Sequence, residues 1–95
     1  MTTETRLEAD SIGTMEVPAE AYYGVQALRA KQNFPITGTK LHPVFIKNLA
    51  QVKKAAAITN NNAGLLPKDK ADAIVRVCDE VIAGKWAEEF IVDAI

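Results

Sequence analysis

Arg29, Lys53 and Lys54 are the side chains in this sequence best suited to holding a carboxylate. An arginine offers a planar fork that matches a carboxylate in two parallel hydrogen bonds, and a lysine offers a point charge. Spacing alone favours solvated helix-surface charges for all three, because paired or buried charges are the minority. His42 is the only histidine, so any histidine-based acid, relay or metal site would rest on one residue. It stands before Pro43 at a helix start, where a capping or surface role is expected. Cys78 falls on the apolar stripe of a helix, as a small hydrophobe would. A reactive thiolate needs an exposed, electropositive setting. Tyr22-Tyr23-Gly24 reads as a packing contact and Asn60-Asn61-Asn62 as a helix terminus. The sequence has no phosphate-binding glycine loop, dinucleotide fingerprint, zinc spacing or nucleophile elbow.

The composition excludes several classes of function. Of the 95 residues, 48% are hydrophobic and 24% charged, the balance of a globular chain. Eleven basic residues stand against 12 acidic ones, a formal net charge of −1, which implies no nucleic-acid partner. No apolar run approaches the roughly 20 residues that span a bilayer. Glu4, Glu8 and Asp10 give the first ten residues the wrong charge for a secretory signal. With Cys78 as the only cysteine, no internal disulfide can form, and a cytoplasmic location is expected.

The candidates must be positioned by a few short elements. Arg6 to Val17 reads as a β-hairpin: Leu7 and Ala9 alternate with charged neighbours, Met15 and Val17 alternate with Thr14 and Glu16, and Asp10-Ser11-Ile12-Gly13 forms the turn. After Gly24 comes a helix of about two to three turns carrying Arg29, with Val25 and Leu28 on one face, ended by Phe34-Pro35. Ile36 to Leu41 is a loop hinged at Gly38. A second helix opens at His42-Pro43, with proline suited to the first helical position. Phe45, Leu49, Val52 and Ala56 form its apolar stripe, and Asn60 to Gly64 closes it. A third opens near Pro67, buries Ala71, Ile74, Val75, Cys78, Val81 and Ile82, and closes at Gly84. The short connection predicts antiparallel packing of these two helices. The run Phe90-Ile91-Val92 with Ala94-Ile95 is too apolar for a free end. It is expected to lie inside a longer chain.

The ordered words of the sequence go further than its periodicity. Arg6-Leu7-Glu8-Ala9-Asp10-Ser11-Ile12-Gly13, Glu16-Val17-Pro18-Ala19, Ala21-Tyr22-Tyr23-Gly24-Val25-Gln26, Leu28-Arg29-Ala30 and Asn33-Phe34 closely resemble the opening of the aspartase/fumarase superfamily. Within it, Tyr22-Tyr23-Gly24-Val25-Gln26, Leu28-Arg29-Ala30 and Phe34-Pro35-Ile36-Thr37-Gly38 look like aspartases, where class II fumarases tend to show Tyr-Trp-Gly-Ala-Gln and Gln-Arg-Ser. Val52 to Ala57, Gly84-Lys85 and Phe90-Ile91-Val92-Asp93 continue the match. Ala27 departs from it, standing where relatives usually have threonine, and Trp86 falls where the family has no strong signature.

The resemblance implies a mainly α fold. Residues 1–95 would be the N-terminal domain of an aspartase/fumarase-type lyase, ending before the central helical bundle: a small N-terminal β-hairpin, an antiparallel helical hairpin and short helices. It implies a parent enzyme, an aspartate ammonia-lyase, that reversibly eliminates ammonia from L-aspartate to give fumarate. That enzyme would be a homotetramer needing no cofactor and no metal. The family's base is a serine on a distant Gly-Ser-Ser loop, and its oxyanion donors also lie downstream. No catalytic residue is therefore assigned here, and the 95 residues alone are expected to be inactive. Arg29 is the one candidate for substrate binding, with a structural ion pair as its alternative. The competing readings are a class II fumarate hydratase piece and a stand-alone helical interaction module.

Overall fold

The structure, a computed structural model, describes residues 4–95. Two strands come first, β1 (Thr5–Asp10) and β2 (Gly13–Pro18), then α1 (Val25–Asn33), α2 (Pro43–Asn62), α3 (Lys68–Ile82) and a 3-10 turn over Ala87–Glu89. The fold is mainly α, as expected. The chain divides into two compact units, the first running to Leu41 and taking back Glu88–Ile95, the second His42–Ala87.

In the first unit β1 and β2 pair antiparallel, with Arg6 opposite Val17, Glu8 opposite Met15 and Asp10 opposite Gly13. Ser11 and Ile12 form the turn. The Asp10 carboxylate accepts from the Ile12 N–H at 3.1 Å, and Gly13 takes φ +141°, a region that favours glycine. The inward face of β1 is the unexpected one. Arg6, Glu8 and Asp10 are half-buried, while Leu7 is 73% exposed. The register explains why. Val17, fully buried, and Met15 lie on the same face as Arg6 and Glu8, so turning β2's apolar side inward carries β1's charges with it.

The loop after α1 turns at Gly38 (φ +74°), and the end of the chain is tied to it. Lys40 bridges to Asp93, the Ala94 N–H donates to the Thr39 carbonyl, and Ile91 is buried. The apolar end is thus anchored within this unit.

The second unit is the expected antiparallel helical hairpin. Lys54 of α2 meets Asp79 of α3 far from the connection, while Asn61 reaches the Leu66 carbonyl beside it. His42 caps α2, its Nδ1 accepting from the Val44 N–H at 3.1 Å, and Pro43 fills the first position. Gly64 (φ +78°) and Gly84 (φ +89°) close α2 and α3 in left-handed geometry. The buried contacts are small: Ala50 and Ala57 on α2, Ala71 and Cys78 on α3.

This corrects the expected face of α2. Phe45 is 56% exposed and Val52 65%, and Leu49 and Ala56 are also exposed. The face turned to α3 instead runs through Ile46, Ala50, Ala57 and Asn61, where short side chains let the two helices approach closely. On α3 the expected stripe holds except at Ile74, which is exposed.

Candidate functional site

The residues with the strongest chemistry are gathered in the first unit, around the irregular segment Pro18–Gly24. Arg6 reaches across from β1. Its Nη1 donates to the carbonyls of Pro18 (2.8 Å), Ala19 (3.1 Å) and Ala21 (2.8 Å), its Nη2 to Tyr23 (3.0 Å), and its Nε to the Glu8 carboxylate (2.7 Å). A guanidinium carries five donors in a fixed fork, and here that fork gathers the carbonyls of a segment with no regular ladder of its own.

Glu8 answers at the next helix. Its second oxygen accepts from the Val25 N–H at 2.9 Å, placing a carboxylate at the N-terminus of α1, where the unpaired amides and the helix dipole favour negative charge. Gly24 supplies no side-chain cap, and a Cβ there would lie 2.9 Å from the Glu8 carboxylate oxygen. The Arg6 guanidinium, followed by the Val25 N–H, holds the Glu8 carboxyl below its usual range. From the end of the chain, one oxygen of Glu89 accepts from the Tyr22 and Tyr23 N–H groups at 2.9 and 3.2 Å.

Arg29 on α1 is engaged by Asp10. Its Nε and Nη2 donate to the two carboxylate oxygens at 2.8 and 3.1 Å, a bidentate pair in which the Asp10 side chain is only 8% exposed. The pair lowers the Asp10 pKa, chiefly through the Arg29 hydrogen bond. Beside it lies an open depression of about 320 Å³, lined by Ser11, Gln26, Asn33 and Phe34 together with the pair itself. Because Asp10 neutralises Arg29, the depression carries no net charge from this pair.

Asp93 is the fourth carboxylate in the set. It accepts from the Thr37 N–H and hydroxyl, the Gly38 N–H and the Ile95 N–H, at 2.7 to 3.2 Å. The Thr37 hydroxyl leads in lowering its pKa.

The remaining candidates sit in the second unit and are accounted for there. Lys54 pairs with Asp79 at 2.7 Å on the surface, and Lys53 is exposed. The Cys78 thiol is buried and pushed up, first by burial and then by Asp79, so it is protonated at neutral pH. Among the described residues no cluster of His, Cys, Asp or Glu could hold a metal ion, and no helix is long and apolar enough to cross a membrane.

Sequence reasoning picked out Arg29 but not Arg6, Glu8, Glu89 or Asp93. The signal for the first two was the alternation Arg6-x-Glu8-x-Asp10, which puts three charges on one side of a strand. What these groups do together is hold backbone. Each carboxylate accepts backbone amides, an arginine fork or both.

Comparison with known proteins agrees with this geometry. The profile of a family described as Lyase matches residues 13–95. An aspartate ammonia-lyase from a Bacillus species is 54% identical across all of this chain, and a class II fumarate hydratase from Halobacterium salinarum is 50% identical over 98% of it. Among solved structures, the fumarate lyase:delta crystallin of Brucella melitensis superposes with a TM-score of 0.89 at 44% identity over 95% of the chain. The chain belongs to this lyase family, in the aspartase/fumarase superfamily. It spans about one fifth of the length of each of these relatives.

Proposed function

We propose that this chain is the N-terminal domain of an aspartate ammonia-lyase, and that it frames an active site whose reacting groups lie elsewhere in the parent enzyme. The observation that carries this reading is the 54% identity to an aspartate ammonia-lyase, sustained over every residue of the chain. The parent reaction removes a proton from the carbon beside the β-carboxylate of L-aspartate. The freed electron pair forms the double bond of fumarate, and ammonia leaves. The aci-carboxylate formed on the way needs preorganised donors and a base. By the resemblance, the base and the donors lie in the four fifths of the parent that this chain does not span, so these residues alone should be inactive.

Arg29 remains the candidate for substrate binding. A substrate carboxylate at Arg29 would have to share the guanidinium with Asp10 or displace it. The parent is read as a cytoplasmic homotetramer that needs no cofactor. The buried, unpaired Cys78 is compatible with a reducing compartment.

A chimera tests the reading: this chain replaces the matching fifth of the Bacillus aspartate ammonia-lyase. Retained aspartate elimination is expected, and loss of that activity in a folded chimera would overturn it. The fumarate hydratase relative at 50% identity favours a second reading, a hydratase parent. The same exchange in the Halobacterium enzyme, assayed with malate, separates the two. The aspartase reading expects the Bacillus host to keep more of its activity.

A further inference from the structure

Both flanks of α1 are tied to one short segment that comes 55 to 67 residues later in the chain. Before the helix, one oxygen of Glu89 accepts from the Tyr22 and Tyr23 N–H groups at 2.9 and 3.2 Å. After it, one oxygen of Asp93 accepts from the Thr37 and Gly38 N–H groups, each at 3.0 Å, and the other from the Thr37 hydroxyl at 2.7 Å. The Ala94 N–H then donates to the Thr39 carbonyl at 2.9 Å. We propose that Glu88–Ile95 is a strap with two carboxylate catches that opens and closes as one piece, so that the entry and the exit of α1 are ordered or released together.

Three features make the strap a single body. Its length matches the helix it serves: α1 has 9 residues, a rise of about 13.5 Å at 1.5 Å each, and the four steps from Glu89 to Asp93 cover at most about 14 Å of extended chain. Between the catches there is no swivel. Phe90, Ile91 and Val92 include neither glycine nor proline, and two of them are β-branched. Ile91 is buried midway, two residues from each catch, so lifting either end far enough to free its amides moves Ile91 from its place. Finally, the amides the strap serves depend on it. Among the described residues, the Tyr23, Thr37 and Gly38 N–H groups have no acceptor other than Glu89 or Asp93.

The rest of the unit keeps its own hydrogen bonds when the strap lifts. β1 and β2 pair with each other, and α1 has its internal ladder. Thr37, Gly38 and Thr39 are exposed, and Ile91 is the one buried residue of the strap. A segment closed by hydrogen bonds to an exposed loop and by one buried side chain opens at lower free energy than the whole fold. The strap is then a two-state element biased from both of its ends, which couples Thr37–Thr39 to Tyr22–Tyr23. It depends on no step of the parent's reaction.

Amide hydrogen exchange of the purified chain, read residue by residue by NMR, tests this. Tyr23, Thr37, Gly38 and Ala94 should share one protection factor within about threefold, below that of the α2–α3 hairpin. Asp93→Asn keeps the side chain's size but turns one acceptor into a donor. It should lower protection about tenfold at Thr37 and Gly38, and by the same factor at Tyr23, which it does not touch. Glu89→Ala should act in the opposite direction along the strap, lowering protection at Thr37 and Gly38 as much as at Tyr23. The β1–β2 amides should be unchanged in both variants, which also checks that the fold persists. Ile91→Ala touches neither catch and gives an independent opening should either variant lose the hairpin's signals; all four amides should then lose protection equally. Loss confined to the substituted end, unequal protection at the two ends of the unaltered strap, or exchange at free-chain rates throughout would each overturn the proposal.

Discussion

In the first unit the inward face of β1 carries Arg6, Glu8 and Asp10 while Leu7 faces water. In the second, the buried contacts between α2 and α3 are Ala50, Ala57, Ala71 and Cys78, with charges kept to the rim. The difference follows from the backbone each unit must hold. Helices satisfy their own amides and carbonyls, so α2 and α3 need only small apolar surfaces that let them approach. The Pro18–Gly24 segment has no such ladder. The Ala19 and Ala21 amides find backbone carbonyls, but the carbonyls of Pro18, Ala19, Ala21 and Tyr23 and the amides of Tyr22 and Tyr23 are met by charged, long side chains sent from β1 and from Glu89.

The comparison can be broken first at Arg6. Arg6→Met removes the donor to four carbonyls and the partner of Glu8. The expected loss is about 2–4 kcal/mol, since hydrogen bonds to a charged group contribute roughly 1.5–3 each and do not add. Urea denaturation measures it, and a loss no larger than that of a surface substitution would mean that the segment holds itself. In the second unit, Ala57→Leu forces extra volume into a contact where Ala57 is 4% exposed. Overpacking of this kind costs roughly 1–3 kcal/mol. A stabilised variant would show that the helices have room to separate.

Acid should distinguish the units without mutation. Glu8, Asp10 and Asp93 are each held below the ordinary carboxyl value of about 4 by their partners. The unfolded chain therefore binds more protons than the folded one at low pH. The stability these groups contribute is present above about pH 4 and is lost as the pH falls through their lower folded values. Chemical shifts of the first unit should report this loss, and Asp93→Asn should reduce it. An acid transition centred on the α2–α3 hairpin instead would contradict the division.

Smaller effects sharpen it. Arg29→Lys keeps the charge but loses the fork, so Asp10 should titrate closer to its ordinary value by NMR. Leu7→Thr should change stability by no more than about 0.5 kcal/mol, because Leu7 lies on the outer face of β1. A large loss there would mean that the apolar face of the strand is covered.

Much of this was legible in the sequence. The hairpin, the His42-Pro43 start of α2 and the closures at Gly64 and Gly84 follow from local rules about turns and caps. The inward face of β1 was not legible from β1 alone. Its alternation is equally regular on both sides, and only the register with Val17 decides which side turns in. The α2 face failed for a related reason. Val44, Phe45, Ile46, Leu49, Ala50 and Val52 surround the helix, so periodicity offers more than one stripe, and α3 selected the one with the smallest side chains. Arg29 was found from its place in Leu28-Arg29-Ala30, whereas the carbonyls gathered by Arg6 come from a segment with no period to read.

The role given to this chain, a scaffold for chemistry supplied elsewhere, is tested most directly by incubating the purified 95-residue chain with L-aspartate and following fumarate absorbance. No fumarate is expected at any protein concentration. Sustained formation proportional to the amount of chain, and retained after removal of trace contaminants, would contradict that role.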